Sequence, residues 1–281
     1  MTKKLILIVE LVVCSFAFAN EKFTISDWTE IYKGVYHSTG HCNQPRLEVA
    51  NVLRIDLNEP GIRFFTTPSN GDEPLEVTGR TTVNFLKEHK LQIAVNAGFF
   101  KPWDKCCIDG EPKDIRGLAV SKGVVVSPPV GYGEVGSAVL LIDRANKVKI
   151  SDSNELINMN DVYNAVSGIP ILLSKGEIKV KEDRKPEPRT AAGVSKNGRY
   201  LYFIIIDGRQ PGYSEGASHY ETAEWLKAYG AYDALNLDGG GSAAMVRSDE
   251  GNGAIILNRP SGYKGEGGER VVGNNIGVYS E

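Results

Sequence analysis

Two short blocks of this sequence carry the residue types that chemistry needs. Asp207-Gly208-Arg209 closes an apolar run at 200–206, and Asn236-Leu237-Asp238-Gly239-Gly240-Gly241-Ser242 closes a second run at 232–237. Each run delivers a carboxylate where the chain leaves the interior and can meet a ligand. Arg189-Thr190 precedes the strand-like segment that leads to Ile206. With Arg209 it supplies two planar forks of donors, each able to pair two phosphate or carboxylate oxygens at once. A carboxylate near two arginines is held in its charged form. Gly239, Gly240 and Gly241 expose backbone N–H groups and permit positive φ, so the turn can wrap closely around an anion such as a phosphate oxygen. The pattern G-x-x-x-x-G-K-[ST] is absent, which argues against a nucleoside triphosphate. Two plainer readings compete: a tight glycine turn packed on a neighbouring strand, and a structural ion pair between Arg189 and Asp207.

The elements that must position these residues are mostly short strands. Segments such as 49–57, 62–66, 91–96, 137–142, 191–194, 200–206, 234–237 and 275–279 are apolar and punctuated by Gly, Asn, Asp or Pro. The run 200–206 is apolar at nearly every position, which suits a strand covered on both faces. Helical signals are few. The clearest is 218–229, where Ser218 and Glu221 form a capping box and Gly230 supplies the left-handed stop. Ala223, Leu226 and Lys227 share one face there, with Trp225 and Tyr229 beside them. A second helix is expected at 82–90, with Val83, Leu86 and Phe85 inward. The fold class that follows is α+β: a single domain of many short strands in mixed sheets with a few flanking helices. The charged stretch 181–188 and the glycine-rich stretch 261–269 are short and read as loops, not linkers.

Lys3 and Lys4, an apolar stretch at 5–18 and Ala17-Phe18-Ala19 before Asn20 outline a secretory signal peptide, with Glu10 a blemish in its core. The stretch falls short of the roughly 18 residues of a membrane span. Residues 1–19 therefore read as a leader and 20–281 as the exported chain, periplasmic or extracellular. Lipid attachment at Cys14 competes, against the bulky Val13 that precedes it. The whole chain carries a net charge of −3, and loss of Lys3, Lys4 and Glu10 makes it one unit more negative. No basic excess points to nucleic acid. The remaining cysteines, Cys42, Cys106 and Cys107, are odd in number, and a bond from Cys42 to one of the pair is as plausible as one within it. They lack the C-x-x-C spacing of a zinc site. Oligomeric state has no signature in the sequence.

With these residues in view, a family resemblance becomes specific. Asn96-Ala97-Gly98-Phe99-Phe100, Arg189-Thr190-Ala191, Val194, Asp207-Gly208-Arg209, the Asn236 to Ser242 block, Asn258-Arg259-Pro260 and the Gly267 to Val272 segment with Glu269 and Arg270 resemble the phosphodiester glycosidase family. The match runs in order from about residue 96 to 279. It departs at Ala243-Ala244, where the family often shows a further hydroxyl residue, and at Cys106-Cys107-Ile108. The resemblance implies hydrolysis between an anomeric carbon and a phosphate oxygen, releasing a free sugar of N-acetylglucosamine type and a phosphomonoester. A phosphate ester leaves readily, so protonating it matters less than in ordinary glycoside hydrolysis. What remains is an oxocarbenium-like centre needing a carboxylate and a water.

On that basis Asp238 acts on the anomeric centre, as nucleophile or as base for water, Asp207 is the second acid, and Glu269 is a reserve candidate. Arg189, Arg209 and the N–H groups of Gly239, Gly240 and Gly241 hold the phosphate. Asn96, Asn236 and Ser242 orient sugar hydroxyls or the carboxylates. The substrate would be a glycan, a teichoic-acid-like polymer or a glycolipid. No cofactor is required, although one Ca²⁺ or Mg²⁺ has room. Alternatives are a non-catalytic carbohydrate- or phosphate-binding module and a metal-assisted phosphodiesterase. His219 reads as an exposed residue at a helix start. Trp103 either stacks on a sugar ring or is buried in the core, and Tyr213 and Tyr263 are lid candidates.

Overall fold

The computed structural model describes residues 22–103, 108–152, 155–182, 185–251, 253–263 and 267–281. The expected leader with Cys14, and the pair Cys106 and Cys107, lie outside the described residues. Cys42 is buried, its thiol donating to the Gln44 carbonyl at 2.9 Å.

The Tyr200–Ile206 strand sets the plan of the molecule. Its side chains alternate between two apolar clusters, Leu201, Phe203 and Ile205 in one and Tyr202, Ile204 and Ile206 in the other, because successive residues of a strand face opposite ways. A run that is apolar throughout must therefore be covered on both sides. The strand lies inside a nine-stranded sheet between Glu48–Asp56 and Arg189–Ser195, with Ala231–Asn236 beyond the latter. The helix His219–Ala228 covers one face through Ala223, Trp225 and Leu226. The other face packs on two five-stranded sheets, which contribute Ile93, Val95, Ile276 and Val278 from one and Ala138, Leu140 and Val166 from the other. Each fully buried Phe, Ile, Leu or Val here contributes roughly 1.5–3 kcal/mol.

Both helices form where the sequence places them. The His219–Ala228 helix starts at a complete capping box between Ser218 and Glu221 and ends before Gly230 at φ 101°. Lys227, which shares a face with Ala223 and Leu226, is exposed, since its long side chain can reach water from the edge of the buried face. Thr82–His89 is capped by Thr81 and stopped by Lys90 in the left-handed region. It lays Phe85 and Leu86 on Phe65, Leu91, Ala94 and Val246, with Val83 at the margin.

Two parts of the expected architecture need correction. The described residues hold two α-helices and two 3₁₀ turns among 22 strands, so the molecule is predominantly sheet. The sheets are not mixed: every strand pairing among the described residues is antiparallel. A strand–helix–strand crossover ordinarily joins parallel neighbours. Here Arg189–Ser195 inserts between the two strands so joined and runs against both. Tyr200–Ile206 and Ala231–Asn236 therefore point the same way without touching. Their C-terminal ends emerge on one edge of the sheet, two strand spacings or roughly 10 Å apart, with Arg189 between them. No helix of the described residues is long and apolar enough to cross a membrane.

Candidate active site

A cavity of about 610 Å³ opens at that sheet edge. Asp238, Asn236, Arg189, Arg209 and the three glycines all line it; Asp207, Glu269, Asn96 and Ser242 do not.

Asp238 forms the polar floor. Its amide donates to the Ala97 carbonyl at 2.8 Å, and its own carbonyl accepts from Nδ2 of Asn96. Asn96 is buried and also accepts from the Thr190 hydroxyl at 2.8 Å and the Ala244 amide at 3.1 Å. It thus fixes the backbone that carries the carboxylate. Oδ2 of Asp238 accepts from the Ser242 hydroxyl at 2.6 Å and lies 3.4 Å from Nη2 of Arg270, which also donates to Ser242. Burial pushes the Asp238 carboxyl up to about 6, against the opposing pull of Arg270 and Ser242.

The glycine run acts first as a close-packed turn. A β-carbon on Gly239 would stand 2.5 Å from the Pro188 carbonyl oxygen, and one on Gly241 would stand 2.2 Å from that of Gly262. Gly240 adopts φ 58° and donates its amide to Pro188 at 2.8 Å, so this N–H is already committed within the fold. A β-carbon on Gly240 would stand 3.1 Å from Nη2 of Arg209, and the turn is thus the surface on which that guanidinium rests.

The cationic wall is built from both arginines. Arg189 donates through Nε to the Ala217 carbonyl at 2.8 Å and through Nη2 to that of Lys185 at 3.0 Å. Its Nη1 stands 3.0 Å from Nε2 of His219. A guanidinium can only donate, so this imidazole nitrogen accepts and the ring proton sits on Nδ1. Arg209, at φ 60°, donates through Nε to Glu187 at 2.6 Å. Arg189 and Asp207 are not an ion pair.

Asp207 sits behind this wall. It is 1 % exposed, and both oxygens are occupied: Oδ1 accepts from Nδ2 of Asn258 at 2.9 Å, Oδ2 from the Tyr213 hydroxyl at 3.0 Å, and both from the Arg259 amide. Its carbonyl accepts from Ser214 at 2.6 Å. Burial raises its carboxyl, and the bonds from Asn258, Arg259 and Tyr213 oppose that. The residue ties two loops to the sheet edge and faces no open space. Glu269 is also placed elsewhere. It accepts from the Val83 amide at 3.1 Å at the start of the first helix, where burial pushes it up to about 7. Asn236 donates to the carbonyls of Ile169 at 2.7 Å and Leu237 at 3.0 Å, leaving Oδ1 buried without a partner among the described residues.

Three further cavity residues, Arg270, Glu187 and His219, carry little signal in the sequence itself. Arg270 stands 32 positions after Asp238, and only the family resemblance brought it into view. Glu187 lies in a short charged stretch that predicts only a loop, and the position of His219 predicts only a helix start. Trp103 lines the cavity at 61 % exposure, which removes the core reading of that residue. Tyr263 lines the cavity as well, whereas Tyr213 is engaged with Asp207. The donors around Asp238 do not suit a divalent cation, because one carboxylate stands there beside a guanidinium. No group of three or more His, Cys, Asp or Glu side chains among the described residues is arranged to hold an ion.

Comparison with known proteins follows the same lines. A model of the phosphodiester glycosidase family matches residues 89–279. Over 173 residues the chain is 28 % identical to the N-acetylglucosamine-1-phosphodiester alpha-N-acetylglucosaminidase of Mus musculus and 27 % identical to that of Homo sapiens. Those alignments take in 55 % of this chain but 31 % and 32 % of the relatives, so the matched part of the chain spans about a third of their length. Among solved structures, the zebrafish catalytic domain of that name, auto-inhibited by its pro-peptide, has a TM-score of 0.63 at 20 % identity, covering 92 % of this chain and 84 % of that one. A Synechocystis protein has a TM-score of 0.60 at 16 % identity, covering 88 % and 62 %. At such identities the structural likeness speaks for the fold.

Proposed function

We propose that this chain, which belongs to the phosphodiester glycosidase family, hydrolyses the bond between the anomeric carbon of a sugar and a phosphodiester oxygen. The products are a free sugar of N-acetylglucosamine type and a phosphomonoester. The observation that carries the reading is the shared cavity: the Asp238 carboxylate opens into the same space as the guanidinium groups of Arg189 and Arg209.

In this reading the phosphate rests on the cationic wall and the sugar over Asp238, with Trp103 on the rim available to stack on the ring. The anomeric C–O bond breaks with its electron pair passing to the phosphate oxygen, and Arg189 and Arg209 stabilise the charge that develops there. Asp238 acts on the anomeric carbon as nucleophile, or as the base that takes a proton from the attacking water. With its carboxyl at about 6, it is mostly ionised at neutral pH, as either role requires. Asp207 and Glu269 become positioning residues: the first anchors the Asn258-Arg259 segment, and the second ties the segment that carries Arg270 to the start of the first helix. No step calls for a cofactor. We place the chain outside the cytoplasm, as residues 20–281 after loss of its leader.

Hydrolysis of an N-acetylglucosamine 1-phosphodiester in ¹⁸O-labelled water tests the reading. Glycosidic cleavage puts the label in the sugar. Label in the phosphate would mean P–O cleavage and overturn the proposal in favour of a phosphodiesterase.

A further inference from the structure

A second recess, of about 540 Å³, gathers Arg63, Lys122, Arg144, Asn146, Tyr163 and Tyr279. It lies away from the Asp238 cavity. Asn96 pairs with Asn275 at the cavity end of one five-stranded sheet, and Arg63 pairs with Tyr279 at the other end, four residues or roughly 14 Å further along.

The three cations come from the start of the Arg63–Thr66 strand and from two separate turns, which the fold locks together. The Asn146 side chain donates to the Ile62 carbonyl at 2.7 Å, which ties its turn to the residue before Arg63. The Gly123 amide donates to the Tyr163 carbonyl at 2.7 Å, and the Lys122 amide donates to the Asn164 side chain at 3.2 Å. Lys122 and Asn146 both hold positive φ, at 51° and 61°, conformations that non-glycine residues seldom adopt without such restraint. The Arg144 guanidinium lies 4.3 Å over the Tyr163 ring and the Arg63 guanidinium 5.4 Å over Tyr279. A β-carbon on Gly123 would be 3.7 Å from Nη2 of Arg144, so this guanidinium reaches the Lys122 turn. Only Arg63 of the three forms an ion pair among the described residues, with Glu281. No carboxylate lines the recess, in a chain whose net charge is −3.

We propose that this recess is a second ligand site, one that takes a phosphate-bearing saccharide. Lys122 and Arg144 neutralise the phosphate, Arg144 by its planar fork, while the tyrosine rings offer apolar faces to the adjoining sugar. An inorganic anion uses only the first half of that description, and an uncharged sugar only the second.

The test is a titration of the isotope-labelled full chain, followed through the backbone amides of Gly123 and Asn146. The probes are a hexose 6-phosphate, the same hexose without phosphate, and inorganic phosphate. Hexose phosphate is expected to give saturable shifts at these amides, with affinity at least about tenfold above inorganic phosphate and no saturation by the free hexose. Lys122→Ala/Arg144→Ala should weaken binding at least about tenfold while leaving turnover at the Asp238 cavity within about twofold. Tighter binding of a phosphodiester-linked disaccharide than of the monoester would assign the recess to an intact polymer, and the reverse order to a released fragment. Absence of saturable shifts, equal binding of inorganic phosphate, or binding that survives the double substitution would overturn the proposal. The binding readouts do not depend on the chemistry proposed for Asp238, so the two accounts stand or fall separately.

Discussion

The Ser242 hydroxyl donates to Oδ2 of Asp238 at 2.6 Å, four residues along a chain turned back on itself by three glycines. The turn brings a neutral donor against a carboxylate that burial would otherwise drive further from its ordinary range. Arg270 also reaches both residues, so Oδ2 of Asp238 is held by two donors.

Removing that hydroxyl should move the pH profile. Ser242 stabilises the charged form of Asp238, so Ser242→Ala raises its carboxyl above about 6. The acid limb of kcat/KM, expected near pH 6 in the natural chain, should shift to higher pH, and kcat should fall about tenfold. A pH–rate profile of the two proteins checks this; coincident acid limbs would show that Asp238 does not set the limb.

Asp207→Asn should act on stability more than on rate. The substitution sets an amide N–H₂ against the donors Asn258, Tyr213 and the Arg259 amide that now converge on the carboxylate. The expected cost is about 2 kcal/mol of unfolding free energy, with kcat within about tenfold of the natural chain. Denaturant melts and initial rates together decide the matter. A thousandfold loss of kcat at unchanged stability would return Asp207 to the chemical step.

Glu48 carries a stability signal unrelated to the cavity. It is buried, accepts from Nε1 of Trp225 at 2.6 Å, and is pushed up to about 7 by that burial. A carboxyl raised in the folded state contributes stability that is present below about 4.5 and lost as pH rises through 7. Glu48→Gln keeps an acceptor for Trp225 without the titration. Between pH 5 and 8 the natural chain should lose up to about 3 kcal/mol more than the variant, read as the difference in melting curves across that range. Parallel pH dependences would mean that Glu48 does not titrate there.

Much of the site was legible because its residues sit at strand ends, where an apolar run stops at a polar residue. Asp207 and Asp238 are both found that way, and the shared sheet edge brings them to one side of the molecule. The sequence does not reveal which of the two faces open space. That is decided by Asn258 and Arg259, about fifty positions from Asp207, and spacing carries no trace of such bonds. Three glycines in a row suggest freedom to wrap an anion, but two of them answer to the closeness of Pro188 and Gly262 and the third has given its amide to Pro188. The antiparallel topology is hidden in the sequence for a related reason. The helix between the two aspartate strands resembles a parallel crossover until the inserted Arg189–Ser195 strand is seen.

The central claim, that the Asp238 carboxylate acts on the anomeric carbon, is tested most directly by the single-turnover rate of Asp238→Asn on an N-acetylglucosamine 1-phosphodiester, with a melting curve from the same sample. A fall of roughly three orders of magnitude or more, from a protein whose melting curve shows it folded at the assay temperature, is the predicted result. Turnover within about tenfold of the natural chain, from an equally folded protein, would contradict it.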